Sequence, residues 1–110
     1  MNQLDYFIYE TLEVAPSPLT KGRLLEVICN QFGVTEEQLK GKSRNSNLNQ
    51  ARQFYIWFLY KKGLIRTLVE IGEEVNRNHA TVIHTRNKLD YESKQYEDVK
   101  LLSKEIESRL

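Results

Sequence analysis

The chain has 110 residues, 40% hydrophobic and 28% charged, the size and balance of one globular domain rather than of a disordered or low-complexity tract. Its single cysteine, Cys29, excludes an internal disulfide. No apolar run approaches a membrane span, and the first ten residues carry Asp5 and Glu10 without a basic start, so a soluble, cytoplasmic protein is expected. The net charge of +1 conceals a strong asymmetry: residues 1–37 carry −4, residues 38–89 carry +7 and residues 90–110 carry −2. A basic block between acidic flanks suits a polyanionic partner, although a solvated basic face would look the same.

Apolar residues recur with the helical period and nowhere with strand alternation, which predicts an all-α fold. Leu4, Phe7, Ile8 and Leu12 predict a first helix over residues 2–13, an extra N-terminal element (1–15) that acts as a dimer contact or as a lid on the core. Pro16 and Pro18 end it. A second helix, residues 19–32, places Leu25, Ile28, Cys29 and Phe32 on one face and stops at Gly33. Cys29 reads as a small core side chain, because no base or polar setting surrounds it. Thr35 and Gln38 form a capping box that opens a short third helix ending near Lys40. A polar, basic loop follows at residues 41–47.

The fourth helix, residues 49–62, has a wide aromatic stripe (Phe54, Tyr55, Trp57, Phe58), expected to be the centre of the core rather than a base-stacking platform. Gly63 ends it. Thr67 and Glu70 supply a second capping box for a short helix to Val75. Asn76-Arg77-Asn78 is a three-residue break, in which Asn76 tolerates a left-handed conformation and Asn78 is a good N-cap. A helix from His79 to Leu89 and a last helix from Glu92 to Arg109 complete the chain.

Two short helices joined by three residues describe a helix-turn-helix over residues 67–89. Ile71, Val75, Val82 and Ile83 can form its small core. Arg77, Asn78, His79, Ala80 and Thr81 are then left at the exposed start of the second helix, where recognition helices commonly meet base edges. The same geometry also occurs in purely structural bundles. His79 and His84 are five residues apart and lack Cys or carboxylate neighbours, so no metal site or other cofactor is expected. His84 reads as a half-buried structural residue. No nucleophile–base arrangement is visible, and a non-catalytic protein is expected. Gly41-Lys42-Ser43 is not a nucleotide-binding loop, because Glu36 stands where the motif's first glycine would be.

Residues 19–110 resemble the C-terminal helix-turn-helix DNA-binding domain of the bacterial replication initiator DnaA. The resemblance rests on Phe32-Gly33-Val34, Leu39 with Lys42-Ser43-Arg44, Ala51-Arg52-Gln53, Val69-Glu70-Ile71-Gly72 and Arg77-Asn78-His79-Ala80-Thr81-Val82-Ile83-His84. It implies sequence-specific binding of double-stranded DNA, tied to replication initiation or its regulation, by a domain standing alone without the family's ATPase domain. It implies that Arg44 enters the minor groove, and that Arg52 and Gln53, with Lys42, meet phosphates. It also implies that His79 and Thr81 read bases or touch the backbone at the start of the recognition helix, and that Lys88 touches phosphate late in it. The chain departs from the family at Asn78 (usually Asp), Ala80 (usually a hydroxyl residue), Asn87 (usually basic) and Val75-Asn76 (usually paired glycines). Altered base contacts of this kind shift discrimination by roughly 1–3 kcal/mol each. The rival expectations are a transcriptional regulator, or a protein-interaction module that kept the fold, lost base reading and acts on an initiator or another replication protein.

Overall fold

The computed structural model describes residues 18–110, and the expected N-terminal helix lies outside them. Six α-helices follow one another among the described residues: α1 (Lys21–Phe32), α2 (Glu36–Lys40), α3 (Ser46–Lys61), α4 (Leu68–Glu74), α5 (His79–Gln95) and α6 (Glu97–Arg109). The fold is all-α.

Local chemistry explains most of the boundaries. The Thr20 side chain accepts from the Arg23 amide at 3.1 Å and starts α1, and Gly33, at φ 66, ends it in the left-handed region. The Thr35 capping box is complete: Thr35 Oγ1 accepts from the Gln38 amide at 3.1 Å, and the Thr35 amide donates to Gln38 Oε1 at 3.0 Å. The Thr67 box is only half made. Thr67 Oγ1 accepts from the Glu70 amide, but Glu70 Oε1 takes the Thr67 hydroxyl at 2.9 Å instead of returning to a backbone amide.

Three boundaries differ from the sequence reading by three residues or more. Helix α3 starts at Ser46 rather than at Asn49, because Asn45 Oδ1 accepts from the amides of both Asn47 and Leu48 and caps it early. Helix α5 runs on past Leu89 to Gln95, since no glycine or proline interrupts it and Leu89 is buried within the core. The last helix therefore begins at Glu97, after an extended Tyr96, rather than at Glu92.

Helix α3 is the hub. Phe54 through Leu59 are all buried, so neighbours enclose it on nearly every side. Leu24 and Ile28 of α1, Leu39 of α2, Ile71 of α4, Val82 and Leu89 of α5 and Ile106 of α6 join the same cluster. Phe54, Trp57 and Phe58 pack at centroid distances of 5.4–6.5 Å, with Trp57 edge-on to both phenyl rings. The Trp57 indole N–H donates to Asp90 Oδ1 at 2.8 Å, tying α3 to the middle of α5.

A second tie fixes the end of α4. Glu74 Oε1 accepts from Lys21 Nζ at 3.0 Å, while its Oε2 accepts from the Tyr55 hydroxyl at 2.9 Å and lies 3.4 Å from Lys40 Nζ. One carboxylate thus joins α1, α2 and α3 to the helix-turn-helix. Burial pushes its pKa up, but the hydrogen bonds from Lys21 and Tyr55 and the charge of Lys40 outweigh this and hold it below the ordinary value. Burial and the same carboxylate push the Tyr55 phenol strongly up.

The turn after α4 is close-packed. Asn76 adopts φ 57, as its residue type allows, and the Arg77 amide donates to the Gly72 carbonyl at 2.8 Å. A Cβ on Gly72 would lie 2.3 Å from the Arg77 carbonyl oxygen. Only glycine lets the turn fold back so closely. Ile71, Val75 and Val82 are buried beneath it, with Ile83 half-buried.

Gly72→Ala should destabilise the domain by about 1–3 kcal/mol despite alanine's better helix propensity, because the clash is with backbone; urea unfolding measures this. Glu74→Gln should lower stability near neutral pH. Because the native pKa of Glu74 is depressed, its contribution is full above the unfolded-state value of about 4.3 and fades as pH falls through the native value. The stability gap between wild type and Glu74→Gln, measured by urea unfolding from pH 3 to pH 7, should narrow at the acid end.

Candidate nucleic-acid interface

The expected contact residues come from four places: the loop between α2 and α3, the first turns of α3, the start of α5 with the turn before it, and, for Lys88, the middle of α5. In the loop, Lys42 and Arg44 are exposed. At the start of α5, Asn78 Oδ1 accepts from the Thr81 amide at 2.9 Å and from the Thr81 hydroxyl at 3.1 Å. Capping occupies that oxygen and leaves the Asn78 amide nitrogen as the group that can donate outward. His79, Ala80 and Thr81 are exposed beside it.

Arg44, Asn49, Arg52, Arg77 and Thr81 line one shallow depression, so the loop and the start of α5 share a continuous surface. Asn49, Gln53 and Lys88 line an adjoining one, where Lys88 Nζ donates to Gln53 Oε1 at 3.2 Å. Gln53 and Lys88 are both half-buried. Asn49 borders both depressions and was missed in the sequence. Its signal was its place one helical turn before Gln53 on the same face.

Two arginines lie deeper than expected. Arg52 is only 4% exposed. Its Nε donates to the Leu39 carbonyl at 2.7 Å, and its Nη2 reaches the carbonyls of Gln38, Gly41 and Ser43 at 3.3–3.4 Å. Arg77 is half-buried: its Nη1 donates to the Val75 and Asn76 carbonyls, and its Nη2 to the Gly41 carbonyl at 2.8 Å. Burial pushes the Arg52 pKa down, and the nearby Arg77 charge adds to this. His84 is exposed rather than half-buried, on the outer stripe of α5 with Ala80 and Asn87. Cys29 is half-buried, and burial, with the Glu36 charge, pushes its thiol up and away from reactivity.

Lys21, Arg23, Lys40, Lys62 and Lys100 each pair with a carboxylate. Lys42, Arg44, Arg52, Arg77 and Lys88 make no ion pair among the described residues. The surface they share presents a net positive charge, with Glu92 at its Lys88 end, together with exposed amide and imidazole groups and the N-terminus of a 17-residue helix. Such a surface can bind an anionic polymer and hydrogen-bond base edges. Among the described residues, no three His, Cys, Asp or Glu gather to hold a metal, and no helix is long and apolar enough to cross a membrane.

Comparison with known proteins gives the family. The chromosomal replication initiator protein DnaA of Thermoanaerobacter sp. (strain X514) is 33% identical over 89 residues, which are 81% of this chain and 19% of that protein. The DnaA of Porphyromonas gingivalis (strain W83) is 45% identical over 60 residues, 54% of this chain and 12% of the relative. That of Desulfatibacillum aliphaticivorans is 35% identical over 66 residues, 60% of this chain and 14% of the relative. The chain thus spans about a fifth or less of the length of these relatives. A family model described as the bacterial dnaA protein helix-turn-helix matches residues 22–89, from α1 through the buried Leu89 of α5. With most of its length in that match, the chain belongs to the bacterial DnaA helix-turn-helix family.

Proposed function

We propose that this domain binds double-stranded DNA sequence-specifically, with the start of α5 in the major groove and the Arg44 loop in the adjacent minor groove. The observation that carries the reading is the shared surface of Arg44, Asn49, Arg77 and Thr81, rimmed by cations without carboxylate partners. A recognition helix uses its N-terminal residues on base edges. Here these are Asn78, His79, Ala80 and Thr81, with His79 and the Asn78 amide nitrogen as hydrogen-bonding groups and the Ala80 methyl as a partner for thymine. An arginine beside them suits a narrow, A/T-rich minor groove. Lys42 and Lys88, with Gln53, serve the phosphates. The domain needs no nucleotide or metal for this activity and performs no catalysis. It acts in the soluble cytoplasm, in replication initiation or its control, alongside an initiator or another replication protein; the relatives' name supports this setting.

The domain should bind duplexes carrying a DnaA-type box more tightly than scrambled ones. Log affinity should fall with log salt at a slope of roughly −0.9 per phosphate contacted. Arg44→Ala should lose about tenfold in affinity for A/T-rich sites. His79→Ala should lower preference between sequences more than it lowers nonspecific affinity. Fluorescence anisotropy on labelled duplexes measures all of these, and absence of binding to either duplex at low salt overturns the reading.

A further inference from the structure

We propose that Arg52 and Arg77 are positioning residues, which together clamp the Gly41 carbonyl and hold the Arg44 loop rigidly against the helix-turn-helix turn. The proposal rests on the DNA-binding reading and deepens it: the two DNA-reading elements are one mechanical unit rather than two independent contacts.

The Gly41 carbonyl accepts from Arg52 Nη2 at 3.3 Å and from Arg77 Nη2 at 2.8 Å. Arg52 stands on α3 and Arg77 in the turn before α5, so one loop oxygen is held from two sides. Asn76 Nδ2 adds a third strut, donating to the Lys40 carbonyl at 3.3 Å. Arg52 spans carbonyls from Gln38 to Ser43: it bonds Leu39 at the end of α2 and shares Gln38 with the capping Gly41 amide. Arg44 follows Ser43 directly, so fixing the 41–43 backbone fixes where Arg44 leaves it.

The charge arrangement argues the same way. Two guanidinium groups converge on one oxygen with no carboxylate between them, and Arg52 is desolvated as well. That costs stability, and a surface contact to phosphate would not require it. Only a planar fork of several donors can meet carbonyls in different directions at once, so the site is built for arginine rather than for positive charge as such. Of the Arg52 nitrogens, Nε and Nη2 are occupied by backbone and only Nη1 makes no hydrogen bond within the described residues.

Arg52→Lys separates the two roles, because it keeps the charge and removes the fork. Amide hydrogen exchange without DNA should quicken about tenfold or more at Gly41 of the loop, whose amide donates to the clamped Gln38 carbonyl at 3.1 Å, while the buried amides of α3 keep their rates. Affinity for an A/T-rich duplex should fall about tenfold, the scale of one lost groove contact. In the Arg44→Ala background the same substitution should cause no further loss, since its effect runs through Arg44. Equal losses with and without Arg44 would make Arg52 a direct phosphate contact and overturn the proposal. So would unchanged loop exchange, whatever happens to binding. If Arg52→Lys does not fold, Arg77→Lys carries the exchange test, because it releases the same oxygen from the other side. If the wild type binds no duplex, the DNA-binding reading has failed, and loop exchange alone then decides whether the clamp stands.

Discussion

The structure depends on surrounding one helix. Helix α3 buries six consecutive residues, Phe54 to Leu59, so it cannot rest against a single layer. Its neighbours must enclose it: α1, α2, α4 and α5 all pack against it, with Ile106 of α6 reaching the same cluster. Apolar burial drives this arrangement but does not orient it, since hydrophobic attraction has no direction. Direction comes from a few polar ties at the edge of the core. Trp57 to Asp90 sets α5 against α3, and Glu74 sets the end of α4 against three other helices at once. The helix-turn-helix is therefore a stable module only because it stands on a hub outside itself.

The same logic reaches the interface. Gly72 lets the turn close, Asn78 caps the helix that follows, and the turn backbone then presents Arg77 to the loop. The groups that would face a ligand carry few internal obligations: His79 and Ala80 are exposed, as are Lys42 and Arg44. Those behind them, Arg52 and Arg77, are engaged with backbone carbonyls. Work is divided by depth: buried donors hold the backbone, and exposed ones are left free.

Much of this was legible in the sequence, because the signals were local. Thr35, Thr67 and Asn78 mark helix starts, and Gly33, Gly63 and Asn76 mark the left-handed positions, whereas the caps at Thr20 and Asn45 went unread. The aromatic stripe correctly located the core, and the three-residue break located the turn. What could not be read depended on distant partners. Nothing near Arg52 in sequence distinguishes a surface arginine from one whose donors meet carbonyls 9 to 14 positions earlier. The break between α5 and α6 was misplaced at residues 90–91 instead of Tyr96, because polar residues 90–95 carry no apolar repeat that assigns them to either helix until Asp90 is seen to accept from Trp57. His84 was placed at half depth from helical spacing alone, which fixes its angle around the helix less finely than burial requires.

Trp57 is the only tryptophan in the chain, 2% exposed, with its N–H held by Asp90 and the Lys61 ammonium 4.1 Å from its ring centre. It is thus a built-in optical reporter on the joint between the hub and α5, and it lies beneath the surface rather than among the exposed groups at the start of that helix. Its emission follows whether that joint is intact. In one cuvette, a variant that fails to engage its ligand while folded can be distinguished from one that has come apart.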